Sequence, residues 1–152
     1  MDDRFENFVI SITEVHRYLQ KIKEVEMERM GLKAGHTMCL YILGKHPEGL
    51  TATQLTELCK EDKAAISRTL SHLSEMGMVT YELSANKRSY RTIYHLTHKG
   101  QETVDRIEEK VREVLEKGGS GLTKGQREDL YISLEQICDN LAEFLNESRE
   151  KE

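Results

Sequence analysis

Tryptophan is absent from this 152-residue chain, proline occurs once, and cysteine three times. A single proline leaves helices free to run without interruption. Three phenylalanines and six tyrosines are all the aromatics, the hydrophobic set is 38% and charged residues are 32%. That profile favours a helix-rich soluble protein over a sandwich, a barrel or a disordered chain. Cys39, Cys59 and Cys138 form no CxxC pair, and their odd number argues against a disulfide framework, so reduced thiols are expected. No apolar run approaches the roughly 20 residues needed to span a bilayer. The N-terminus lacks the charged-then-apolar layout of a signal peptide, so no membrane partner and a cytoplasmic location are expected.

What is present is an uneven distribution of charge. The formal net charge is −5. Residues 1–34 carry six basic and seven acidic side chains, and residues 101–152 carry eight basic against fourteen acidic. Between them, residues 50–100 carry seven basic against five acidic. Acidic ends with a mildly basic middle suit a chain whose ends do one job while its middle touches phosphate.

Hydrophobic spacing divides the chain further. Phe8, Ile12, Val15, Leu19 and Ile22 recur at alternating steps of three and four, the seam of a long helix over 4–30 that Gly31 ends. A second helix is expected over 34–45. Thr51-Ala52-Thr53-Gln54 is a capping box that opens a short helix to about Cys59. Asp62 caps a third, carried by Ile66, Leu70 and Leu73 and ending near Gly77.

The period then shortens. Val79, Tyr81 and Leu83 alternate with polar residues, and 90–96 is rich in β-branched and aromatic types, which predicts two antiparallel strands. The polar tip between them is placed at Ser84–Ser89. Thr97 caps a helix with the seam Val104, Ile107, Val111 and Val114, which breaks at Gly118-Gly119-Ser120-Gly121. Thr123 to Gln126 repeats the capping box, and Leu130, Leu134, Ile137, Leu141 and Leu145 carry a last helix to about 148.

The expected fold class is therefore mainly α (α+β): a winged helix-turn-helix over 35–100, flanked by a helical dimerisation region over 1–34 and 101–152. A helix-turn-helix lays its second helix in the DNA major groove. Lys63, Ala64, Ser67, Arg68, Thr69 and His72 are the candidates to meet bases and phosphates from that helix. Lys87, Arg88 and Arg91 are the candidates from the wing, where cations reach the minor groove or the backbone. The seams through Phe5, Phe8 and Ile12, and through Leu130, Leu134, Ile137 and Leu141, expose more apolar helix than one small winged domain can cover, so self-association is expected.

The run Asp62-Lys63-Ala64-Ala65-Ile66-Ser67-Arg68-Thr69-Leu70-Ser71-His72-Leu73 and the later Leu96-Thr97-His98-Lys99-Gly100 resemble the recognition-helix and post-wing motifs of the MarR family of bacterial transcription regulators. The resemblance in element order covers about residues 5–148. It implies a homodimer on a pseudo-palindromic operator in double-stranded DNA. It implies repression, commonly relieved by a small ligand or by thiol oxidation. A small anionic or aromatic ligand is expected near His16, Arg17, His36 and Tyr41.

Other chemistry has less support in the sequence. His36 and Cys39 stand three apart with no second pair to complete a metal site, so no metal is expected. There is no HExxH, no nucleophile elbow and no phosphate loop, hence no catalytic residue, no cofactor and no enzyme is expected. Two alternatives compete with a DNA-binding regulator: a winged-helix module that docks protein, and a thiol-based redox sensor. For the latter Cys59, beside Lys60, is the candidate thiol.

Overall fold

The stop signals written into the chain are where its helices stop. In the computed structural model, which describes residues 3–86 and 89–150, helix α1 (Asp3–Arg29) ends on Gly31 at φ 72°. There the Leu32 amide donates to the Met27 carbonyl at 2.8 Å and the Gly31 amide to that of Glu28 at 2.9 Å. This is the Schellman arrangement, and its apolar pair, Met27 and Leu32, is buried. One 3-10 turn, Ala34–His36, precedes α2 (Thr37–Gly44). The helix expected over 34–45 thus opens on a tighter turn, in which the Lys33 amide donates to His36 Nδ1 at 3.2 Å.

Helices α3 (Ala52–Cys59) and α4 (Lys63–Glu75) start on the expected caps. The Thr51 hydroxyl accepts from the Gln54 amide at 3.2 Å, and the Asp62 carboxylate accepts from the Ala65 amide at 2.7 Å. Between them Lys60 closes α3 in the left-handed conformation, at φ 56°. Helix α4 stops as α1 does: Gly77 sits at φ 71°, the Met78 amide donates to the Leu73 carbonyl at 2.9 Å, and both apolar side chains are buried.

Strands β1 (Val79–Asn86) and β2 (Ser89–Leu96) pair antiparallel from Val79↔Leu96 out to Asn86↔Ser89. They run past the tip expected at Ser84–Ser89, because a hairpin ladder is made by backbone groups and needs no apolar side chain to continue. Leu50 bridges to Tyr94 on the outer side of β2.

Two compact units are distinguished, Met1–Glu109 and Lys110–Glu152. In the first, α2, α3 and α4 pack on one another and on the hairpin. Leu40, Leu55, Leu73 and Val104 are fully buried at its centre, each contributing about 1.5–3 kcal/mol by leaving water. Helix α5 (His98–Gly118) enters this core at Gly44, where an added Cβ would come 2.6 Å from Val104 Cγ1. Most of α1 stands clear: Phe8, Ile12, Val15, Leu19 and Ile22 are 37–55% exposed.

The second unit holds the end of α5 and helix α6 (Lys124–Arg149), capped by Thr123 through the Gln126 amide at 3.1 Å. On α5, Glu113 is gripped by Lys110 and Lys117, which hold its carboxyl down to about 2. No described residue of α6 is buried, and Leu130, Leu141, Phe144 and Leu145 are 45–65% exposed. Among the described residues no helix is long and apolar enough to cross a membrane.

Candidate nucleic-acid interface

Helix α4 has an inner and an outer face because its apolar residues recur at helical spacing. Ile66, Leu70 and Leu73 are buried, and Lys63, Ala64, Ser67, Arg68, Ser71 and His72 are exposed. One expected contact residue lies on the wrong side. Thr69 stands three residues after Ile66 and four before Leu73, so it falls on the inner stripe and is only 9% exposed. It packs the helix against its neighbours and is unavailable to a base.

The outer face is electrostatically unspent. Among the described residues neither Lys63 nor Arg68 makes an ion pair, whereas Lys45, Lys117 and Lys124 each pair with a glutamate. Arg91 is likewise exposed and without an ion pair among the described residues. It sits in β2 opposite Ser84 rather than at the hairpin tip. There it lines a cleft of about 530 Å³ with the cap Thr51, with Thr53, Gln54 and Glu57 of α3, and with Thr92 and Tyr94. Lys87 and Arg88, the other two wing candidates, lie outside the described residues.

The cleft adds a feature that the sequence reading missed. Thr51-Ala52-Thr53-Gln54 registers there only as a helix start, yet that start, with its partial positive charge, lines the same cleft as Arg91. Nothing in the local sequence signals this, since Arg91 is forty residues further along the chain.

Beneath α4, His36 is buried and its imidazole meets that of His72. Burial, then His72, then Lys33 push the His36 pKa below its ordinary value of 6.5. The residues grouped as a ligand pocket do not converge. His16 and Arg17 are exposed on α1, eleven residues and about 16 Å of helix from Met27, where α1 joins the core. His36 is buried, and Tyr41 is half-buried with the Lys45 ammonium 4.7 Å over its ring.

The thiol expectation is corrected as well. Cys59 is 8% exposed, and burial together with Glu61 pushes its thiol up to about 11. Its charged neighbour in effect is Glu61, not Lys60. Burial and the adjacent Cys59 raise Cys39 to about 12, and Cys138 is the exposed thiol. At neutral pH both buried sulfurs are therefore protonated and poor nucleophiles. Among the described residues no group of three or more histidine, cysteine or acidic side chains is placed to hold a metal.

A short helix pair whose second member shows a polar, cationic outer face, followed by a two-stranded hairpin, defines a winged helix-turn-helix protein. Residues 30–88 match the MarR family model. The chain is similar to the transcriptional regulator SlyA, at 23% identity and a TM-score of 0.80 over 90% of this chain and 94% of that one. It is similar to a MarR transcriptional regulator from Methanosarcina mazei Go1, at 26% identity and a TM-score of 0.74 over 95% and 94%. It also shares its fold with S. aureus MepR, solved as a complex with DNA, at 17% identity and a TM-score of 0.77 over 86% and 93%. No curated protein matches the sequence. The MarR family likeness is thus carried by residues 30–88, and the fold is that of the transcriptional regulators solved in this family.

Proposed function

We propose that this chain is a sequence-specific DNA-binding repressor that acts as a homodimer on a pseudo-palindromic operator. The observation that carries the reading is the outer face of α4, where Lys63, Ser67 and Arg68 are exposed and both cations lack an ion pair among the described residues. Such a face costs little to desolvate against phosphate and can offer a guanidinium to guanine O6 and N7. Arg91, exposed in the cleft beside the start of α3, supports the same reading.

The dimer is supported by what each unit leaves uncovered. In the first, the α1 seam from Phe8 to Ile22 is exposed, and Phe5 continues it in the sequence. In the second, α6 presents Leu130 and Leu141 to solvent, with Leu134 and Ile137 half-exposed. A monomer would leave these stripes in water. Residues 1–34 and 101–152 form the dimerisation region in this reading, and 35–100 reads the DNA. The acidic ends repel the duplex while the basic middle attracts it, which orients the encounter.

Selection from a random duplex pool tests the reading. A single palindromic consensus with half-sites about one helical turn apart is expected. Arg68→Ala should cost roughly 1–3 kcal/mol and relax preference at one base pair of each half-site. Recovery of no consensus at moderate salt would overturn it.

A further inference from the structure

The N-terminal turn of α5 holds the end of α4 by its carbonyls. The Lys99 ammonium donates to the Met76 carbonyl at 2.8 Å, the Thr97 hydroxyl to that of Gly77 at 2.6 Å, and the Thr97 amide to that of Met78 at 3.0 Å. The carbonyl of Met76, the C-cap of α4, and the two carbonyls that follow it before β1 are thus met by two residues at the start of α5. The Thr97 hydroxyl also accepts from the Gly100 amide at 3.1 Å, so it caps α5 with the same atom that ties α4. Gly100 closes the joint: a Cβ there would stand 2.1 Å from the Met78 carbonyl oxygen.

Lys99 is one of the seven cations that make residues 50–100 basic, yet its ammonium is committed to a carbonyl at the negative end of a helix rather than left open like that of Lys63. Tilting α4 against α5 would break the Lys99–Met76 hydrogen bond and strain the two that Thr97 makes just beyond it, or drive Gly100 into Met78. Helix α5 runs on from this joint through Gly118, into the segment assigned above to the dimer.

Resting on the reading of α4 as the helix that enters DNA, we propose that Lys99 is a positioning residue. It fixes the angle of α4 to α5 and thereby the separation at which the two reading helices of a dimer meet their half-sites. It makes no phosphate contact of its own.

The experiment compares wild type, Lys99→Met and Lys99→Arg on the selected operator and on versions lengthened or shortened by one base pair. Lys99→Met is expected to weaken operator binding about fivefold, the weight of one exposed charge-assisted hydrogen bond. It should also narrow the gap between correct and altered spacings and leave the salt slope as in wild type. Lys99→Arg, which can still donate to the Met76 carbonyl, should restore both affinity and spacing preference.

A salt slope reduced by about one in Lys99→Met would make Lys99 a phosphate contact and overturn the proposal. So would an unchanged affinity. If the wild type binds no duplex, the repressor reading fails by itself, and hydrogen exchange then judges the joint. Faster exchange of the Met78 and Thr97 amides in Lys99→Met would support it, and unaltered exchange would overturn it.

Discussion

The buried ring of His36 meets the exposed ring of His72 edge-on, with 5.8 Å between centroids and 73° between planes, so the 3-10 turn before α2 and the outer helix α4 share an imidazole contact. His36 accepts the Lys33 amide through Nδ1, which fixes its neutral form in place.

A pH dependence of stability follows. In the unfolded chain His36 titrates near 6.5, and in the fold it titrates lower because of burial, His72 and Lys33. Below the higher value the unfolded chain binds the proton first. Stability is therefore whole above about pH 6.5 and falls as the pH drops through the window beneath it. The thermal midpoint should fall by a few degrees from about pH 7.5 to 5.5. His36→Asn, whose carbonyl can still accept from Lys33, should flatten that fall; an identical slope in the variant would remove His36 as its cause.

Glycine to alanine inside a helix usually stabilises by up to about 1 kcal/mol. At Gly100 the sign should reverse, with a loss of about 2–4 kcal/mol, because the new methyl meets the Met78 carbonyl. At Gly118, where nothing lies within 4 Å of an added Cβ, the same change should be neutral or slightly stabilising. Urea unfolding of the two variants checks the contrast.

Alkylation of the native protein should leave Cys39 and Cys59 untouched at neutral pH, since both are buried and their thiols lie near 12 and 11. Cys138 is the thiol open to reagent in the described fold. Mass mapping after a brief iodoacetamide pulse decides it, and adducts on either buried cysteine without denaturant would refute the assignment.

Leu141→Asp, on the bare stripe of α6, should shift the protein from dimer to monomer in sedimentation. Operator binding should fall by at least tenfold, since one reading head loses its tethered partner. A variant that sediments as wild type would move the dimer contact elsewhere.

The sequence disclosed the parts of this fold that obey local rules. Thr51, Asp62 and Thr123 cap because a hydroxyl or carboxylate three residues ahead of a free amide has one good partner. Gly31 and Gly77 terminate because the chain there takes a positive φ. What local rules cannot give is which long-range neighbour a side chain finds. Thr69 looks like a surface hydroxyl until the helix stripe is drawn through Ile66 and Leu73. Lys60 looks like the charge that tunes Cys59, yet Glu61 is the one that acts. Lys99 counts as one more cation until the Met76 carbonyl, twenty-three residues earlier, is found against it.

The two Schellman stops also decide where this chain can change length. Each nails an apolar pair, Met27 with Leu32 and Leu73 with Met78, to a single interior. One residue inserted just ahead of either glycine would swing the preceding turns by about 100° and carry a polar side chain inward. A change of chain length is therefore costliest just ahead of Gly31 and Gly77.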